Sequence, residues 1–580
     1  MPRVCRVAPD VTAVERVFDY LVPDALAPLV RVGAIVRVPL HGRRVRGWVV
    51  ADDVTPDTGE RLLEVLAVAS DGPSADVVAL TDWIAWRWSG PRIAVLRSAS
   101  APNRVAPTPS SSLPPELASQ TRTTSGSGTQ VRRGERKVVR TPPLVDRRET
   151  VAAMCPADGS MIVAVADPSR ARSLAQYLRS AGRAVAFLHS DDPDAARTDS
   201  WRRSTRGSCV VVGGRTAALA PVPDLAAVVV VDDADEALQE ERSPTWHARD
   251  VLLERADRAG VPFAVVSPAP TVEALAIPGV ELDGPAPDVE ARGWPRTLVV
   301  DRREEPPGAG LLTEGLTDAL RESSGVSVCV LNRRGRFRLL ACDACHALLR
   351  WDRGADRPMV CDECGATRLR VLRAGVARVR EELAALFPKR AVVDVDAATA
   401  EVGEADIVIG TEAVLHRPEL RRRRPTLVAF VDLDQELMAP RFRAAAQAHW
   451  LTTRGAQLLA GRPRDETRLL AQARQADHEV VRALVTGRPA LVAEAETERR
   501  RAIGFPPFGA VAELSGDEPA VLATIDAIRG FDAVRVVGPT EGKALVVAPD
   551  AEALADALTV GHTAARPVGR VRTAVDPARV

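Results

Sequence analysis

Apolar positions along this chain fall in short, nearly unbroken runs separated by polar stretches with helical spacing, which predicts buried strands alternating with helices. Between residues 150 and 290 the runs are Met161–Val165, Ala184–Leu188, Cys209–Val212, Ala226–Val231 and Pro262–Val266, with helical stretches such as Ala171–Gly182 between them. A strand that is apolar at every position is buried on both faces, so this alternation predicts a parallel α/β sheet. A second set follows between 291 and 500: Thr297–Val300, Val326–Leu331, Ala391–Val395, Asp406–Ile409 and Thr426–Val431. The two sets echo each other. VVGGRTAAL at 211–219 leads into VVVVDDAD, and IVIGTEAVL at 407–415 leads into LVAFVDLD, so two similar lobes are expected.

The flanks read differently. Residues 1–105 contain β-like runs at Val17–Val22, Ala34–Pro39 and Gly47–Ala51, punctuated by Gly33, Pro39 and Gly42, and predict a small β-rich domain. Residues 106–149 are rich in Pro, Ser, Thr, Gly and Arg and lack a period that could bury a face, which predicts a flexible basic linker. Glu466–Arg501 reads as helical with acidic and basic faces, and the turn GFPPFG at 504–509 starts a small α/β domain within 501–580.

Composition sharpens this picture in three places. Aromatic residues make up only 4% of the chain, so its cores must be built from Val, Leu and Ala. The 77 basic residues balance 77 acidic ones, so no global field steers the protein to nucleic acid, and any such binding must be local. The first twenty residues contain no apolar leader core, and the longest aliphatic run, Ala226–Val231, is far shorter than a membrane span. The expectation is a cytoplasmic protein with no membrane partner.

The strongest chemical signal is Cys342-x2-Cys345-x15-Cys361-x2-Cys364. Two close pairs of thiolates supply the tetrahedral sulfur shell of a structural Zn2+, and four ligands leave no open position for catalysis. A redox pair is the alternative. Cys209 and Cys329 lie within apolar runs and read as core.

A two-lobed α/β chain invites a search for nucleotide chemistry. A P-loop needs glycines for close backbone approach, Lys for phosphate and Ser or Thr for Mg2+. The only lysines, Lys137, Lys389 and Lys543, all sit outside such a motif. Asp232, Asp233 and Asp235 follow an apolar run as the carboxylates of a DExH box do, although a buried strand capped by solvated acids is favoured when no P-loop accompanies it. The arginine-rich segments 132–140 and 421–424 are either phosphate contacts or solvated charge.

Several strings together resemble the primosomal protein N′ (PriA) family: FDYLVP at 18–23, VRVPLHG at 36–42, GGRTAALAPVPDLAAVVVVDDADE at 213–236, WHARD at 246–250, LNRRGRF at 331–337, ADIVIGTEAVL at 405–415, VDLDQELMAPRFRAA at 431–445 and GFPPFG at 504–509. They occur in order around the cysteine pairs and cover nearly the whole chain. The resemblance implies a DNA helicase fold: a β-rich domain that binds DNA 3′ ends, two RecA-like lobes with a zinc-knuckle insertion at 342–364, and a small carboxy-terminal domain. It also implies recognition of stalled or abandoned replication forks and reassembly of the primosome. The implied partners are forks, 3′ ends and single strands of DNA, primosome and replicative-helicase loading proteins, and single-strand binding protein. The protein is expected to act as a monomer associated with the nucleoid.

By the same resemblance Phe18, Asp19 and Gly42 match a pocket for the terminal nucleotide of a 3′ end, with His41 a one-residue departure from the pattern. Other departures concern catalysis. Residues 141–161, where a P-loop belongs, read TPPLVDRRETVAAMCPADGSM, Asp233 replaces the catalytic Glu, and Asp235 replaces the His. The stretch TTRGAQLLAG at 452–461 lacks the family's arginine fingers, and four zinc cysteines replace the usual eight. This pattern resembles a degenerate branch of the family known from actinobacteria. The expectation is a DNA-binding scaffold with one structural zinc and doubtful ATP and Mg2+ binding. The alternative is an active 3′-5′ helicase with an atypical nucleotide site.

Overall fold

The structure, a computed structural model, describes residues 3–11, 16–56, 62–108, 134–305, 310–332, 337–342, 344–345, 348–352, 360–361, 363–367, 369–371, 376–396, 398–399, 401–540 and 542–579. The chain divides into two compact units. The first comprises residues 1–139, 147–283 and 497–580, and the second comprises 140–146 and 284–496.

The first unit opens with an antiparallel sheet of β1 (Val4–Pro9), β2 (Phe18–Leu21), β3 (Ile35–Leu40), β4 (Arg43–Asp52) and β5 (Ala67–Ser70), in the order β2-β1-β4-β3-β5. The segment before β5 closes this sheet into a small barrel. On the β2 side the Leu21 amide donates to the Leu63 carbonyl at 2.9 Å and the Val65 amide to the Leu21 carbonyl at 3.0 Å, and on the β3 side the Leu66 amide donates to the Arg37 carbonyl at 2.9 Å. Alternation along the strands sends Val7, Tyr20, Val36, Val38 and Val49 into the barrel and Ile35 and Trp48 outward. The outward pair is covered by the helices Ala75–Arg87 and Arg92–Ala99 through Val78, Ile93 and Leu96.

The first lobe is a parallel sheet of β6 (Arg136–Arg140), β7 (Ser160–Val165), β8 (Val185–Leu188), β9 (Val210–Gly213), β10 (Leu225–Val231), β11 (Phe263–Ser267) and β12 (Val280–Asp283), ordered β12-β6-β11-β10-β7-β9-β8. The span 106–149 expected as a linker therefore contains a sheet strand, β6, and the start of a helix, Arg147–Ala153. Its apolar signal was only Val138 and Val139 between charged residues, too short to show a period. The remainder, 109–133, including Arg132 and Arg133, lies outside the described residues.

The second unit is built on β13 (Arg296–Asp301), β14 (Ser327–Val330), a three-stranded insertion of β15 (Phe337–Cys342), β16 (Leu348–Asp352) and β17 (Leu369–Val371), then β18 (Val392–Val395), β19 (Ile407–Gly410), β20 (Leu427–Phe430) and β21 (Arg468–Ala473). Its main sheet is parallel in the order β13-β21-β20-β14-β19-β18. β21 corrects the expectation of a continuous helical region from Glu466. Leu469, Leu470 and Ala471 are buried between neighbouring strands, and helices begin only at Glu479 and Ala490.

The sequence echo has a structural cause. β9 and β19 each end in glycine and pass into one turn of 3-10 helix, Arg215–Leu219 and Glu412–His416. A Cβ on Gly213 would meet the Leu188 carbonyl oxygen at 1.8 Å, and one on Gly410 the Val395 oxygen at 2.0 Å. Only glycine lets these strand ends lie so close to their neighbours. The chain ends in a third layer of the first unit, β22 (Ala510–Gly516), β23 (Arg535–Thr540), β24 (Lys543–Ala548) and β25 (Val571–Val575), ordered β23-β24-β22-β25 and packed with the helices Glu518–Ile528 and Ala551–Ala565.

Candidate functional site

β6 runs through residues 141–146 into the helix Arg147–Ala153, the strand, loop, helix order in which a P-loop cradles phosphate on successive backbone amides. This loop cannot form that cradle. Pro142 and Pro143 have no N–H, and there is no glycine between 141 and 146. The Leu144 amide donates to the Gly293 carbonyl at 3.1 Å and the Val145 amide to the Pro142 carbonyl at 3.0 Å, so both are already used. Arg147, at the first position of the helix, ion-pairs with Asp232.

Asp232 leaves the end of β10 in the left-handed region, at φ +58°. Its carboxylate is only 4% exposed and also receives Arg170 at 3.2 Å. Two guanidinium groups thus neutralise the carboxylate that a DExH box would offer to Mg2+. Asp233 is fully buried: Thr271 donates its hydroxyl and, at 3.3 Å, its amide, and Arg249 lies 3.6 Å away. Burial outweighs those partners and raises the Asp233 carboxyl to about 6. Asp235 caps the turn Glu236–Leu238 by accepting from the Ala237 amide at 3.1 Å. The expectation of solvated acids is therefore corrected, since all three are buried and each has an internal partner. Sequence reasoning missed Arg147, because placing it required β6 to be seen as a strand, and Arg170, because its partner Asp232 is 62 residues away in the chain.

The cysteine motif does converge. The four Sγ atoms of Cys342, Cys345, Cys361 and Cys364 lie within 4.8 Å of one another, with the Cys342–Cys364 and Cys345–Cys361 separations both 3.5 Å. Zn–S bonds of about 2.3 Å in a tetrahedron require sulfurs roughly 3.8 Å apart, so the donor set fits a four-thiolate ion. The amides of Cys345 and Ala344 bring the Cys342 thiol down to about 7. The Ala366 amide acts to lower Cys364, but the neighbouring thiols dominate and push it up to about 12. The turn from Cys361 is closed by the Gly365 amide on the Cys361 carbonyl at 2.8 Å, with Gly365 at φ +71°.

In the barrel, Phe18 and Asp19 are neighbours on β2 and face opposite ways. Phe18 packs on the barrel interior beside Tyr20 and Val45. Asp19 faces Arg6 directly across β1 and takes a two-pronged ion pair at 2.8 and 3.1 Å. Gly42, at φ +76°, and His41, at φ +47°, form the two-residue turn between β3 and β4, and open space surrounds the Gly42 Cα.

Comparison with known proteins places these features. Residues 6–101 match the 3′DNA-binding domain (3′BD) of PriA. The probable replication restart protein PriA of Mycobacterium tuberculosis H37Rv is 29% identical, over 91% of this chain and 89% of that protein. The replication restart protein PriA of Treponema pallidum is 31% identical, over 56% of this chain and 55% of its own length. A DEAD box protein of Methanococcus jannaschii is similar in structure at 9% identity and a TM-score of 0.32, covering 61% of this chain and 86% of that one. The barrel and the body of parallel α/β lobes with a cysteine cluster define a multidomain chain with a DNA-binding module. Over most of its length the chain is thus similar to replication restart proteins PriA, and its residues 6–101 match their 3′DNA-binding domain.

Proposed function

We propose that this protein is a replication restart scaffold: it binds stalled or abandoned forks, takes the 3′ end on its amino-terminal barrel and helps reassemble the primosome without hydrolysing ATP. The observation that carries the second half is the loop 141–146 with Arg147. Phosphoryl transfer needs positioned amides, a cation on the phosphates and a carboxylate free to hold Mg2+. Here Pro142 and Pro143 have no amide N–H, those of Leu144 and Val145 are used, and the carboxylate is held by Arg147 and Arg170. The cysteine cluster holds one structural zinc, and primosome and helicase-loading proteins with single-strand binding protein are the partners. Purified protein with forked DNA is expected to show ATP hydrolysis and unwinding at background. DNA-stimulated hydrolysis abolished by Asp232→Ala would establish the helicase reading instead.

Phe18, Asp19 and Gly42 are proposed to receive the terminal nucleotide: an aromatic face for the base, a carboxylate acceptor for the 3′-hydroxyl and room for the backbone. Asp19→Ala should weaken binding to forks with a free 3′-OH while leaving 3′-phosphorylated forks nearly unaffected. Equal losses on both would mean that Asp19, through Arg6, holds the barrel instead.

A further inference from the structure

The β3–β4 hairpin changes character along its length. Near its base the outward face is Ile35 opposite Trp48, buried under the two helices. One step outward Arg37 stands directly opposite Arg46, and the next pair is Pro39 opposite Arg44. Because side chains alternate, Arg37, Arg44 and Arg46 share this outer face, and Arg43 follows at the turn beside His41. Arg37, Arg43 and Arg44 are exposed, and their side chains have no ion pair or hydrogen bond among the described residues. Arg46 stacks on the Trp48 ring at 5.0 Å and reaches Asp10 at 3.6 Å, but Asp10 is bound more tightly by Arg97, at 2.6 Å.

Like charges directly opposed across an antiparallel pair are destabilising. Folding gains nothing from this arrangement, whereas most other arginines of the barrel have carboxylates: Arg3 with Asp52, Arg6 with Asp19 and Arg31 with Asp71. In a chain of zero net charge, unpaired guanidinium groups concentrated on one ribbon form a local positive field. Their fork geometry suits phosphate oxygens.

We infer that the outer face of the β3–β4 hairpin, through Arg37, Arg44 and the partly satisfied Arg46, together with Arg43 at its turn, is a binding track for the phosphate backbone of DNA. It positions the strand sequence-independently, and the ribbon projects beyond the helix-covered base into solvent. This inference rests on the DNA-binding reading above and adds the residues that contact phosphate.

Fluorescence anisotropy of the full chain on labelled forks, across a salt series, tests it. Each phosphate contact contributes about 0.7 to the slope of log affinity against log salt on a single strand. The R37A/R43A/R44A variant should therefore show a slope shallower by about 2 and binding about tenfold weaker at moderate salt, with its melting temperature unchanged. The corresponding triple lysine variant should keep most of the slope. Should the triple alanine variant melt early, Arg43→Glu with Arg44→Glu at the solvent-exposed turn gives the same comparison. An unchanged slope in a folded variant overturns the inference and leaves the proposed function standing. Failure of the unaltered protein to bind any fork overturns the proposed function itself, and the inference with it. A shallower slope in the lysine variant equal to that of the alanine variant also overturns it, because charge would then not be the cause.

Discussion

His449 shows how a single buried side chain sets a pH limit. It sits in the helix Ala444–Leu458, 5% exposed, stacked on Trp294 with ring centroids 6.0 Å apart, and neither ring nitrogen has a hydrogen-bond partner among the described residues. Burial alone holds its imidazole down to about 4, against about 6.5 in an unfolded chain. Below about 6.5 the unfolded state takes up a proton that the folded state refuses until about 4. Stability is therefore complete above that window and falls as pH drops through it, by on the order of 3 kcal/mol. Urea unfolding of the second unit at pH 7 and pH 4.5 should show this loss, and His449→Phe should reduce it. An identical pH dependence in the variant would assign the effect to other groups. Nothing in the sequence around His449 signals this, because AAAQAHWLTTRG reads as an ordinary amphipathic helix until all its sides are seen to be covered.

At the scale of elements, sequence patterning found the strands that are buried on both faces and missed those with charge within them. Met161–Val165 and Ala226–Val231 correspond to β7 and β10 within a residue or two, because continuous burial leaves a continuous apolar run. β6 (RKVVR) and β12 (VELD) carry charged residues, and Lys137 and Asp283 satisfy each other at 3.3 Å. A cross-strand partner that is distant in sequence leaves no local signature. The cysteine cluster was the opposite case, since the spacing of its two pairs already brings four thiols to one place. Among the described residues β15, β16 and β17 form a sheet of three strands, so a bound metal is expected to supply much of its folding energy. Elemental analysis of purified protein should give one zinc per chain, and a ratio near two would refute the four-thiolate assignment. Cys361→Ser should release the metal and increase hydrogen exchange across residues 337–371.

The whole molecule adds an organisation that no local pattern contains, because the first unit is assembled from three separated stretches of chain. One continuous apolar cluster includes Leu80, Ile84 and Trp88 from the amino-terminal helices, Val228, Val230 and Trp246 from the first lobe, and Leu514, Ile525, Val546 and Leu558 from the carboxy-terminal layer. Polar contacts join the same three stretches. Arg87 pairs with Asp576 at 2.9 Å, Thr245 exchanges hydrogen bonds with the backbone of Val575 at 2.8 and 3.1 Å, and Gln239 donates to the Asp576 carbonyl at 2.9 Å. The carboxy-terminal domain, expected from sequence as a separate piece after 501, is thus packed into the unit that carries the DNA-binding barrel. Removing residues 497–580 would expose the inner faces of Trp88 and Trp246 and leave Arg87 without its carboxylate. Chain 1–496 should accordingly be recovered mostly as aggregate, or melt well below the intact protein, with fork binding lost alongside. Arg87→Ala with Asp576→Ala in a double-mutant cycle should show a coupling on the order of 1 kcal/mol, because the two side chains share one partly buried contact. A soluble 1–496 that melts and binds forks like the intact chain would show that the carboxy-terminal layer is only an attachment. The barrel and the first lobe would then have to be stable on their own apolar surfaces.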